Sequence, residues 1–222
     1  MHPLLEAAVN LICPEENVCH LCGRWAHTGI LCQSCLAELA GGTIPAARQA
    51  LRRETAPQTV ISVWKHEAAA RKLVHRLKYQ ADPSAVRFLA DGMVCALLNE
   101  KTVLERAEWI IPVPLHPARE QERGYNQAAL LANRISSQTG VAMTEKVLFR
   151  TRSTGNLAKM HREERFETLR DVFAVGDVRL ITDRRVLLVD DVFTTGATAQ
   201  ACARALRQAG AAEVSAVTAC RA

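Results

Sequence analysis

Two adjacent carboxylates, Asp190 and Asp191, close an apolar run from Val186 to Val189. A loop of small hydroxylated residues, Thr194 to Thr198, follows them with Gly196 at its middle. Carboxylates at that place can accept hydrogen bonds from vicinal hydroxyls. The loop offers backbone N–H groups and threonine hydroxyls, which suit a phosphate. Phosphate plus diol describes a ribose 5-phosphate. A Walker B strand would also end in acids, but it requires a partner loop G-x-x-x-x-G-K-[ST], and no glycine in this chain is followed by lysine. Phosphoacceptor domains carry their acid pair on the first strand, whereas this pair lies near the end of the chain.

A second chemistry stands at the front. Cys19 and Cys22 form one C-x-x-C pair and Cys32 and Cys35 another, with nine residues between them. Four thiolates can close a tetrahedral shell, which favours a structural zinc site with no open coordination position. Five of the eight cysteines lie in the first 35 residues, and such clustering argues for metal rather than disulfides in a reducing compartment. A redox pair is the rival, and the duplication of the motif counts against it. Cys13, His20 and His27 are substitute ligands to consider. Cys95, Cys202 and Cys220 sit among apolar neighbours and are expected in the core.

A third candidate is the polar loop after Pro112-Val-Pro-Leu115, which carries Arg119, Arg123 and Gly124 before a helical pattern from about Asn126 to Thr139. Arginines at a helix start would hold a second anionic group. The bland alternative is a surface loop whose arginines only solubilise it.

The elements that must position these groups follow from the patterning. The run at Val186 to Val189 is expected to be a strand buried on both faces of a parallel sheet, with its carboxyl end toward ligand. Ala197 to Ala209 has helical composition and stops at Gly210. Further strands are expected at Val60 to Trp64, Trp109 to Val113, Val147 to Phe149 and Val214 to Thr218. Helices are expected at His66 to Tyr79 and from Pro83 to about Glu100. Alternation of this kind implies a parallel α/β sheet. Arg150 to Arg170, polar and charged, is expected to be a flap with a helical part around His161 to Leu169. The organisation is then a four-cysteine metal domain at 1–40, a linker at 41–57 and an α/β domain at 58–222.

At 222 residues, 49% apolar and 23% charged, the chain has the composition of a globular protein. The start carries Glu6 and lacks a basic region, and no uncharged run suffices to cross a bilayer. A cytoplasmic protein without membrane insertion is expected. The net charge of +5 suits anionic small ligands and would not repel nucleic acid.

Val186 to Thr198 resembles the phosphoribosyl pyrophosphate (PRPP) signature of type I phosphoribosyltransferases. The cysteine pairs, Leu77-Lys-Tyr79, Pro112-Val-Pro-Leu115 and Arg123-Gly-Tyr-Asn-Gln-Ala128 resemble more narrowly the ComF family of ComFC- and GntX-like competence and DNA-utilisation proteins. The resemblance implies the type I phosphoribosyltransferase fold with a small N-terminal zinc knuckle. It implies PRPP and Mg²⁺ as ligands, with Asp190 and Asp191 on the ribose hydroxyls, as the catalytic pair. Thr194, Thr195, Gly196, Ala197 and Thr198 would cradle the 5-phosphate. Leu115 and His116 would form the pyrophosphate turn, supported by Arg123 and Gly124. In the flap, Arg150, Arg165 and Phe173 fit the family pattern, whereas Asn156 replaces a glutamine and Thr168 an asparagine. Two functions stay open: Mg²⁺-dependent phosphoribosyl transfer to an unnamed acceptor, or a non-catalytic PRPP-responsive adaptor for single-stranded DNA and competence or DNA-processing proteins.

Overall fold

The computed structural model describes residues 18–26, 31–44, 48–50, 56–154 and 161–222. Cys13, His27 and Asn156 lie outside them.

The buried runs become the centre of the main sheet. Its strands are β1 (Arg48–Ala50), β2 (Thr59–Lys65), β3 (Trp109–Pro112), β6 (Arg185–Phe193) and β7 (Glu213–Arg221), in the order β1-β2-β7-β6-β3. The last four are mutually parallel, and β1 pairs antiparallel with β2 at the edge. Val186, Leu187, Leu188 and Val189 are all buried, as a parallel strand covered on both faces requires. β6 runs on through both acids to Phe193, so the carboxylates sit within the strand's last turn of pleat rather than beyond it.

Helices cover both faces. One face carries α2 (Ala68–Tyr79), α3 (Pro83–Asn99) and α6 (Gln127–Thr139). The other carries α8 (Ala197–Gln208) and a separate antiparallel pair, β4 (Leu148–Arg150) with β5 (Phe173–Val175). The start of α3 follows from local chemistry: Pro83 stands at the first helical position and the Asp82 carboxylate accepts from the Ser84 N–H at 2.9 Å. Between them the chain also forms α1 (Gln33–Gly41), α4 (Lys101–Arg106), α5 (Pro117–Arg123) and α7 (Arg162–Thr168).

Four expectations are amended. The strand expected near Val147 is displaced from the main sheet and pairs antiparallel with β5 instead. The loop after Pro114 contains the short helix α5. The stretch expected as a linker at 41–57 holds edge strand β1, and the Lys65 N–H donates to the Gly42 carbonyl at 2.8 Å. Cys202 and Cys220 are buried as expected, but Cys95 is exposed because it falls on the outer side of α3.

The cysteine region does not stand apart. Leu21, Leu31 and Leu39 share one hydrophobic cluster with Leu73 and Leu77 of α2 and with Leu89 and Met93 of α3. At the same border His20 Nδ1 lies 3.0 Å from Ser84 Oγ. Gly92 of α3 is required by Trp64: a Cβ there would fall 2.1 Å from the indole ring.

Candidate substrate and metal sites

The turn after β6 is built almost entirely from its own residues. Gly196 has φ +82 and caps α8. A Cβ at that position would lie 2.7 Å from the Phe193 ring, so both the backbone conformation and the space demand glycine. Thr195 Oγ1 accepts from the Ala197 N–H at 3.4 Å. Thr194, Gly196 and Thr198 line one cavity together with Asp190 and Val113. Ala197 is buried. Arg165 of α7 donates to Thr194 Oγ1 at 3.4 Å, so an arginine from the expected flap reaches the turn.

The two acids differ. Asp191 is buried, and its Oδ2 lies 2.7 Å from Lys78 Nζ at the end of α2. Burial works against its charge, but Lys78 outweighs that, and the carboxyl is held below its usual range. Among the described residues Asp190 forms no ion pair. Its Oδ1 accepts only from the Asp191 N–H, at 2.8 Å among the described contacts. Burial, and then the charge of Asp191, push its carboxyl well above the usual value. The pair thus combines a fixed negative charge with a neighbour that resists ionisation, as close carboxylates do in a dry site.

The loop after β3 is held by distant contacts. The Val113 N–H donates to the Val189 carbonyl at 2.9 Å. Asn126 caps α6 by accepting from the Ala128 N–H and donates from Nδ2 to the Val113 carbonyl at 3.1 Å. His116 caps α5, its Nδ1 accepting from the Ala118 N–H at 3.3 Å. Leu115 and His116 stand at this turn, half-buried, outside the linings of both the Asp190 cavity and the neighbouring cleft. That cleft is lined by Lys78, Tyr79, Arg119, Glu122 and Arg123. Arg123 lies over the Tyr79 ring at 5.8 Å and also donates to Gln127. Gly124 ends α5 with φ +83. Half-buried Arg150 stacks on Phe173 at 5.8 Å, and its surroundings include Arg119 and Asp190.

Lys78, His66 and Tyr125 escaped the sequence reading. His66 follows β2, and burial lowers its pKa, with Lys78 acting in the same direction and Asp191 against. Only Leu77-Lys-Tyr79, quoted for the resemblance without a role, pointed toward Lys78.

The four cysteines converge. The sulfurs of Cys19, Cys22, Cys32 and Cys35 all lie within 4.8 Å of one another, and those of Cys22 and Cys32 are 3.6 Å apart. A tetrahedron with metal–sulfur bonds of about 2.3 Å has edges of about 3.8 Å, so the donor set fits such an ion. Ser34 lies 3.3 Å from the Cys32 sulfur, and its hydroxyl lowers that thiol to about 6. Arg24 Nε donates to the Cys22 sulfur at 3.4 Å and lowers its pKa.

Residues 122–222 match the family described as Phosphoribosyl transferase domain. Competence protein F of Haemophilus influenzae is 28% identical over 208 residues, covering 92% of this chain and 90% of that protein. DNA utilization protein YhgH of Escherichia coli O6:H1 matches with the same identity and coverage. The chain is thus similar over most of its length to competence and DNA-utilization proteins, and its second half matches a phosphoribosyl transferase domain. Competence protein ComFC of Bacillus subtilis is more distant, at 27% identity over 91% of this chain and 77% of its own. The domain match begins within α5. The cysteine cluster and Lys78 precede it, yet they fall within the span that the relatives share. Among the described residues no helix is long and apolar enough to cross a membrane.

Proposed function

We propose that this protein binds PRPP with Mg²⁺ and transfers its phosphoribosyl group to an acceptor, in a pathway of DNA uptake or DNA utilisation in the cytoplasm. One observation carries the reading. Asp190 and the Thr194–Thr198 turn face a single cavity at the carboxyl end of a buried parallel strand, which is where open α/β sheets bind ligand.

In this reading the turn holds the 5-phosphate through its N–H groups and hydroxyls, and Asp190 and Asp191 accept from the ribose hydroxyls. Mg²⁺ would rest mainly on substrate oxygens and water, where it would neutralise the leaving group. The protein's own contribution is positioning and electrostatic stabilisation of a charge-separated transition state. Zn²⁺ in the four-cysteine site would be structural, since four sulfurs leave no open position. The DNA context comes from the names of the relatives, and partners among DNA-processing proteins belong to the same proposal.

Calorimetric titration with PRPP and Mg²⁺ tests the reading, on wild type and on the D190A/D191A double variant. Saturable binding by wild type alone is expected, and no binding by wild type refutes it. Release of pyrophosphate above the variant's background, with a candidate acceptor present, then separates a transferase from a PRPP-responsive adaptor.

A further inference from the structure

The strongest group outside the phosphate turn gathers at the end of α2. Lys78 is remote in sequence from Asp191, yet its ammonium forms an ion pair with that site acid at 2.7 Å. The lysine side chain is 28% exposed against 6% for its partner, so the ammonium stands at the mouth of the site rather than sealed within it. It also lines the adjoining cleft, where Lys78, Arg119 and Arg123 face one carboxylate, Glu122. The cleft is therefore a concentration of positive charge directly beside the acid pair.

A specific contact holds Lys78 there. The Tyr125 hydroxyl donates to the Leu77 carbonyl at 2.7 Å and accepts from the Ala81 N–H at 2.8 Å. Ala81 has φ +47, a conformation L-residues avoid, and this hydrogen bond holds it. One phenol thus clamps both sides of the turn that ends α2 and carries Lys78. Two motifs, Leu77-Lys-Tyr79 and Arg123-Gly-Tyr-Asn-Gln127, meet at this clamp.

Asp191 is too buried to remain charged alone, and Lys78 supplies its counter-charge in the empty site. A diphosphate brings more negative charge than the acids do. A lysine has three N–H donors on a four-carbon flexible stem, so one ammonium at this border can serve either partner. We propose that Lys78 is a phosphate ligand of this site: its ammonium pairs with Asp191 when the site is empty and turns to the diphosphate of bound substrate beside Arg119 and Arg123, with Tyr125 as its positioning residue. The proposal rests on the PRPP reading above.

The test titrates PRPP, pyrophosphate and ribose 5-phosphate, each with Mg²⁺, into wild type, K78M, K78R and Y125F. K78M is expected to weaken PRPP and pyrophosphate by about tenfold, while ribose 5-phosphate stays within about twofold of wild type. K78R should restore most of the loss, and Y125F should show a smaller loss of the same selectivity. If K78M loses ribose 5-phosphate as much as PRPP, Lys78 only supports Asp191 and the proposal falls. Wild-type PRPP binding that K78M leaves unchanged overturns this inference alone. A wild type that binds neither PRPP nor pyrophosphate overturns the inference together with the reading beneath it. Should K78M not fold, the selectivity of Y125F and K78R decides.

Discussion

The two loops at the carboxyl ends of β6 and β3 are built in opposite ways. The β6 turn takes its shape from neighbours in sequence: Phe193 fills the space beside Gly196, and Thr195 closes on Ala197. The β3 loop takes its shape from afar. Asn126 ties it to Val113, and Tyr125 ties it to α2, whose Lys78 pairs with Asp191 of β6. A self-contained turn tolerates changes elsewhere in the molecule. An assembled one inherits every disturbance of the helices that reach it, and here those helices rest on the cysteine region.

That contrast is broken most severely from a distance. Metal removal by a chelator, or C19S, is expected to loosen α1 and with it the packing under α2, because the cysteine region shares its core with Leu73 and Leu77. Thermal unfolding should show a lower midpoint, and pyrophosphate binding should weaken more than ribose 5-phosphate binding. Equal loss of both ligands would mean that the β6 turn is not self-contained.

Next in size, G196V attacks the local turn directly. Positive φ and the Phe193 ring together should cost about 3 kcal/mol of stability, read by denaturant unfolding, and abolish phosphate binding. N126A attacks the assembled loop. Loss of a helix cap and of the Val113 tie should cost about 1–2 kcal/mol, with the phosphate turn still able to bind ribose 5-phosphate.

The acids sharpen the comparison, because one belongs to each arrangement. D191N orphans Lys78 and should destabilise the empty protein by about 2 kcal/mol. D190N removes a carboxylate that burial disfavours and should stabilise it by about 1 kcal/mol. The pH dependence follows with opposite signs. The Asp190 carboxyl is raised above its ordinary 3.8, so the native state holds that proton longer. Its contribution favours folding in acid and is lost as pH rises from 3.8 toward the native value. The Asp191 carboxyl is lowered from 3.8, so its contribution is present above 3.8 and lost as pH falls through the native value. Unfolding free energies of wild type and D190N, measured across weakly acidic pH, should diverge as pH rises.

The cysteine cluster and the β6 turn were legible because their chemistry is written in short spacings. Two C-x-x-C pairs and an apolar run that ends in Asp190 and Asp191 need no knowledge of the fold. Helix starts at Pro83 and Asn126 were equally readable, since caps act over two or three residues. Short elements were not. α5, β1 and the displaced strand β4 span at most seven residues, too few for their own patterning to show a period. Cys95 was misplaced for a related reason: apolar neighbours in sequence do not say which side of a helix faces out.

The chain by itself therefore determined the parallel α/β layout, the four sulfur donors and the acid pair beside a hydroxylated turn, because each rests on local spacing or on burial along a single strand. Only the tertiary structure decided that Lys78 answers Asp191, that Tyr125 bonds both Leu77 and Ala81 at the end of α2, and that the two carboxyls are shifted in opposite directions. Those depend on through-space distances between residues far apart in sequence, and the spacing along the chain carries no measure of them.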